Sequence, residues 1–387
     1  MKQKDVYLES IRGVAALVVV VHHLVMAFVP VLKAPLHGME GGPWWFWALQ
    51  GSPLAVLMNG TFSVRLFFVL SGFVLSISYF KKRQVVGLGS MAVRRYPRLM
   101  IPVLASVMAS WTLLEVHAYC NGPAAALMQP GGSWLADWAP RPYGFFEALG
   151  QGLYGTFFAF DPKDTLNGVL WSMPVELAGS FLVFAFLALF GSLRWRAAIY
   201  VVVALVLARV SPHLLDFVAG MALCDWRMNA AREKVLPAPL AWTMLIMGLA
   251  LGGVSVDLFT YYTHHAAHLA VHWPTVASLL IVGAAAFCPH TQTALQHPVL
   301  AFLGRISFQL YLYHLMILYS LGCGTYIWLR DDSLSHAASA WLAALVTMAV
   351  SIFVAWGAYH AVDQPAIRLG YRLAKWFGVP GTNQPVR

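Results

Sequence analysis

Two adjacent histidines, His22 and His23, lie inside the apolar run ESIRGVAALVVVVHHLVMAF that begins at Glu9. An ionisable group at membrane depth is costly, so it is usually there for function. An imidazole can abstract a proton, accept an acyl group or relay protons. The plain alternative is a buried histidine pair hydrogen-bonded to neighbouring helices. Arg12 stands eleven residues before His23. On a helix that spacing passes three full turns by only about 20°, so the two share a face, roughly 16 Å apart along the axis. His22 points about 100° away from His23. With Arg12 at the inner surface, His23 falls near the middle of a hydrocarbon core about 30 Å thick.

Other polar groups sit at comparable depth. The stretch LWSMPVELAGSF sets Trp171 and Ser172 at the start of a helix and carries Glu176 about a turn further in. Pro174 lies in the first turn, where proline is tolerated. The stretch GRISFQLYLYHLMI places His314 nine residues beyond Arg305, roughly 13 Å from the inner surface. Two histidine helices and one carboxylate helix can therefore converge. A histidine oriented by a carboxylate makes a general base or a nucleophile, and a proton relay in a transporter would use the same groups. The segment KKRQVVGLGSMAVRRYPRL adds six basic residues. Arg95 and Arg98 are three apart and face the same way on a helix. Guanidinium forks grip phosphates, which suggests a cytoplasmic, phosphate-bearing cosubstrate. Positive-inside charge or attraction to anionic headgroups would explain the same residues.

Helices must position these groups. Of 387 residues, 59% are hydrophobic and 11% charged, against about 25% charge in a soluble domain. The chain reads as an all-α, polytopic integral membrane protein with about ten spans. They fall near 12–32, 54–79, 99–116, 169–190, 197–210, 214–226, 239–256, 274–288, 308–328 and 339–360. The fifth, sixth and eighth are short for the roughly 20 residues a spanning helix needs. With the N-terminus inside, nineteen of the 25 basic residues fall on inner segments and four on outer ones (Lys33, Arg141, Lys163, Arg330), with Arg65 and Arg209 inside spans. This asymmetry predicts both termini in the cytoplasm. The net charge of +9 then marks cytoplasmic loops and not a nucleic-acid surface. The first span lacks a small-residue cleavage site and reads as a retained helix. The four cysteines are scattered and suggest neither disulfides nor a metal site. The aromatic outer segment GGSWLADWAPRPYGFF suits a membrane-interface lid or a platform for sugar rings.

Six stretches in order resemble the membrane-bound acyltransferase-3 family, from about Tyr7 to Leu369. They are LESIRGVAALVVVVHH, FFVLSGFVLS (which contains Ser71), RRYPRL, LWSMPVELAGSF, GRISFQLYLYHLMI and DQPAIRL. The resemblance implies transfer of an acyl group, usually acetyl from acetyl-CoA, to hydroxyls of envelope polysaccharides, lipopolysaccharide or secondary metabolites. By position, His23 corresponds to the family's essential histidine and Arg12 to its partner. Arg95 and Arg98 match the pair associated with coenzyme A. Ser71, Trp171, Ser172, Glu176 and His314 match motif positions. Arg65 departs from the family, where an acidic residue is frequent, and Phe308 stands where tyrosine is frequent.

The expected function is therefore an integral membrane O-acyltransferase of the bacterial cytoplasmic (inner) membrane. Acyl-CoA is the cosubstrate, with no metal, and a glycan or small molecule is the acceptor. His23 acts as base or acyl acceptor with Arg12, and Glu176 orients an imidazole or holds the acceptor. The transferase domain is expected over 1–370 with a short cytoplasmic tail over 371–387, and no fused SGNH-type hydrolase domain. The rival reading is a proton-coupled transporter or flippase of a glycolipid.

Overall fold

A computed structural model of the chain describes residues 6–28, 52–128, 134–229, 235–254 and 271–379, and these contain helices and connecting turns but no strand. The principal helices are α1 (Val6–Phe28), α2 (Gly60–Lys82), α3 (Val86–Glu115), α4 (Ser172–Phe190), α5 (Arg196–Val210) and α6 (Pro212–Asn229). They continue with α7 (Ala238–Gly253), α8 (Trp273–Phe287), α9 (Pro298–Ile317), α10 (Cys323–Asp331), α11 (His336–Ala358) and α12 (Gln364–Trp376). A helix turns up in each span expected from sequence. Six described helical stretches are long and apolar enough to cross a bilayer, or seven if the pair Trp273–Phe287 and Pro289–Leu295, bent by 100°, is one span. The helices α5, α6 and α7 fall outside that set: α5 and α7 have 15 and 16 residues, and α6 carries Asp216, Asp225 and Arg227.

Local chemistry sets the helix ends. Asn59 accepts a hydrogen bond from the Phe62 amide at 3.0 Å and caps α2. At the other end Lys81 and Lys82 sit in the last turn, and Arg83 takes a left-handed conformation with φ 54° that stops the helix. The start of α4 is held by Asn167, whose side-chain amide donates to the Leu312 carbonyl of α9 at 2.8 Å.

Two helix pairs cross through glycine. A Cβ on Gly13 of α1 would collide with the backbone of Leu303 and Gly304 in α9, and one on Gly304 would collide with the Glu9 carbonyl. Likewise Gly72 of α2 faces the Phe217 carbonyl of α6, and Gly220 of α6 faces the Val69 carbonyl of α2. Lipid provides no hydrophobic drive between helices, so close backbone approach at small residues supplies the packing. The first crossing brings the histidine of α1 to the histidine of α9.

Arg65 of α2 closes a second joint. It forms a buried ion pair with Asp216 of α6, and the two side chains are 5% and 0% exposed. Its terminal nitrogens also donate to the Thr275 hydroxyl at 2.8 Å, the Val271 carbonyl at 2.9 Å and the Pro212 carbonyl at 3.2 Å. Thr275 completes the set by donating to Asp216 at 2.7 Å. The departure noted at this position therefore carries its own counter-charge, which is what a buried guanidinium requires. The segment expected on the outer side lies along α3: Trp111 donates to the Tyr143 carbonyl at 3.0 Å, Gly152 packs on Leu104, and Tyr96 donates to the Leu153 carbonyl.

Candidate active site

The polar side chains singled out by sequence form three tiers along α1, α4 and α9. The first holds the histidines. His23 Nδ1 lies 2.9 Å from the Val19 carbonyl and 3.1 Å from His314 Nε2. His314 is 1% exposed, and its Nδ1 lies 2.8 Å from the Tyr311 carbonyl and 3.1 Å from that of Leu310. A carbonyl only accepts, so His314 Nδ1 carries the hydrogen. In the neutral pair its Nε2 is then an acceptor. His23 Nδ1 faces two acceptors and carries the hydrogen in its turn. The nitrogen left with an open lone pair is His23 Nε2. Trp134 covers this pair, its ring 5.2 Å from that of His23, and Tyr319 packs on Trp134 and stacks on Trp138. His22 turns away and meets the Met58 carbonyl at 2.7 Å, as its angle on the helix predicts.

The second tier is made of hydroxyls. Ser172 and Tyr311 lie 2.8 Å apart, oxygen to oxygen, and both reach the Val169 carbonyl. Trp171, adjacent in sequence, faces the other way and packs 5.5 Å from the His213 ring.

The third tier is charged. Arg12 donates to the Ser71 hydroxyl at 3.0 Å, and Ser71 donates to Glu176 at 2.8 Å. Glu176 is ion-paired with Arg95, whose Nε donates to the Ser180 hydroxyl at 2.7 Å. Glu176 was expected to orient an imidazole or hold the acceptor; its carboxylate bonds Ser71 and Arg95 and touches neither histidine, and the side chain beside His23 is His314. Two turns explain the difference: Glu176 sits a turn below Ser172 on α4, and Ser172 is level with Tyr311, itself a turn below His314. Beside this tier a cavity of about 110 Å³ opens, lined by Arg94, Arg95, Arg98, Leu75, Phe184 and Tyr371 among others.

His23 and His314 thus come together, as do Arg12, Ser71, Glu176 and Arg95, while Arg98 reaches the third tier only through the cavity. Sequence reading missed Trp134, Tyr311, Ser180, Arg94 and Tyr371. Tyr311 could have been found, because it lies three residues before His314 and so shares its face. Ser180 is likewise four after Glu176. Nothing in the chain order points to Trp134, which arrives from a segment more than a hundred residues away from His23.

This arrangement can hold an anion at the arginine end and present an unprotonated nitrogen at the histidine end. The O-acetyltransferase PaAT-1 of Phomopsis amygdali is 25% identical over 431 residues, which span 96% of this chain and 84% of that protein. No solved structure matches the chain. The acyltransferase domain of the acyltransferase-3 family matches residues 5–360, nearly the whole chain. The chain belongs to that family, and it is an integral membrane O-acyltransferase.

Proposed function

We propose that the protein transfers an acetyl group from cytoplasmic acetyl-CoA to a hydroxyl of an extracytoplasmic glycan, lipopolysaccharide or small metabolite, at a bacterial cytoplasmic membrane with both termini inside. The observation that carries this reading is the placement of His23 Nδ1 between the Val19 carbonyl and His314. The tautomer assigned from those contacts leaves Nε2 free to act as a base. The phosphates of the donor sit at the arginine cavity, and the thioester arm extends along the hydroxyl tier towards His23, roughly 16 Å from Arg12 by helix rise. His23 Nε2 takes the proton of the acceptor hydroxyl as the oxygen attacks the thioester carbonyl. The C–S bond breaks, and the departing thiolate takes that proton from the imidazolium. The products are the ester and free CoA thiol.

Membership of an acyltransferase family favours this reading over the transporter or flippase, which would need neither a phosphate-binding cavity nor a thioester. The test uses purified protein in nanodiscs with acetyl-CoA and an extract of the host envelope and metabolites. Release of CoA thiol together with a new acetyl ester found by mass spectrometry is expected. Uptake or export of a glycolipid with acetyl-CoA left intact would overturn the reading.

A further inference from the structure

The cavity beside Arg95 raises a question about which arginines hold the donor. Arg95 lines it, but its guanidinium is already bonded to Glu176 and Ser180. A guanidinium whose Nε is on a hydroxyl and whose adjacent terminal nitrogen is on a carboxylate has that edge occupied and is a poor partner for an incoming phosphate. Arg94 is placed differently. Its Nε donates to the Ser90 carbonyl at 2.9 Å, and its guanidinium carbon lies 4.1 Å from the centre of the Tyr371 ring. No hydrogen bond to its two terminal nitrogens is present among the described residues. Arg94 and Arg98 are four apart, so they project from neighbouring positions on one face of α3, and both line the cavity.

The aromatic ring that holds Arg94 comes from the far end of the chain. The buried residues of α12 are Ala366, Gly370 and Ala374, spaced four apart. This small-residue stripe lets α12 lie on α3, with Gly370 against the Arg94 stem at ordinary van der Waals distance, 3.5 Å from where its Cβ would be. Tyr371, the next residue, then reaches over the guanidinium. A cation held on an aromatic face keeps its N–H edge directed.

We propose that the phosphate-bearing nucleotide end of acyl-CoA is gripped by Arg94 and Arg98, with Tyr371 as the positioning residue for Arg94, and that Arg95 belongs to the Glu176 network instead. This rests on the acyl-CoA reading above. It departs from the sequence expectation of an Arg95–Arg98 grip. The ligand chemistry is a phosphate next to a cationic edge, which an anionic lipid headgroup would share.

Binding, not turnover, separates these cases. The protein in nanodiscs is titrated with 3′,5′-ADP, with acetyl-CoA and with acetyl-pantetheine, which lacks the nucleotide. Arg94→Gln should weaken 3′,5′-ADP and acetyl-CoA by about tenfold, the scale for loss of a charge-assisted pair. Tyr371→Leu should weaken both several-fold, and Tyr371→Phe should bind as wild type because it keeps the ring. Affinity for acetyl-pantetheine should not change in any of them. A general loss of fold would lower all three ligands together and fail to be rescued by phenylalanine. Unchanged 3′,5′-ADP binding in both Arg94→Gln and Tyr371→Leu would overturn the proposal. So would an effect that appears only as lost retention of phosphatidylglycerol, when nanodiscs with and without that lipid are compared, because the site would then be a headgroup site. If wild type binds acetyl-pantetheine but not 3′,5′-ADP, the nucleotide grip fails while the thioester donor stands. If it binds none of the three, the donor reading fails as well.

Discussion

The histidine end and the arginine end of this bundle handle buried polarity in opposite ways. His23 and His314 sit among Trp134, Tyr319 and backbone carbonyls, with no charged partner on either ring among the described residues. Arg12 and Arg95 sit in a net of hydroxyls around one carboxylate, Glu176. The physical reason is protonation. An imidazole can be buried neutral and keep a free lone pair. A guanidinium stays charged at any accessible pH and must find an anion. On the proposed reading the nitrogen that acts as base lies where charge is absent, and the anionic donor lies where positive charge exceeds the carboxylate available to it, at Arg94 and Arg98.

Four substitutions probe that contrast. The largest effect is expected at His23, where His23→Ala should reduce transfer by about 10²–10⁴-fold, the usual scale for a lost acid–base group. His22→Ala should cost far less, since His22 bonds the Met58 carbonyl on the other side of α1. Equal losses at the two positions, measured as initial rates at matched expression, would remove the distinction between them.

At the arginine end the expected effect is first on stability. Glu176→Gln removes the carboxylate from a largely buried ion pair, with side chains 9% and 13% exposed, and strands Arg95. Breaking such a pair on one side costs about 3 kcal/mol. Thermal unfolding of the detergent-solubilised protein should show a lowered midpoint. An unchanged midpoint would mean that the third tier is neutralised by some other group.

The smallest effect is expected at Arg98, which is exposed on the cavity rim. Arg98→Lys keeps the charge and loses the fork. The KM for acetyl-CoA should rise several-fold, with the acceptor KM unchanged. Wild-type donor kinetics would mark this arginine as a topological anchor, because the positive-inside rule counts charge and not shape.

Much of the site was legible in the chain. The Arg12–His23 spacing, the divergence of His22 and the depth of His314 beyond Arg305 all follow from helical rise and period, which are properties of a single helix. Glu176 was harder. Its depth was readable, but its partner was not, because a carboxylate a turn below Ser172 meets Ser71 and Arg95 only when α2 and α3 take their places beside α4. Arg65 shows the same limit. A lone arginine in FSVRLFF reads as an anomaly until α6 supplies Asp216 from 151 residues away.

Composition, apolar period and short motifs are local, and they were enough to read a helical chain that lives in a membrane and carries an acyltransferase-3 pattern. Which neighbour each buried polar group receives was set by the packing of the helices. Gly13 and Gly304 let α1 and α9 approach backbone to backbone, and that approach sets His314 against His23. The small stripe of α12 likewise brings Tyr371 to Arg94 across more than half of the chain. A buried polar side chain is defined by its partner, and the partner is chosen by helix packing, which no single segment encodes.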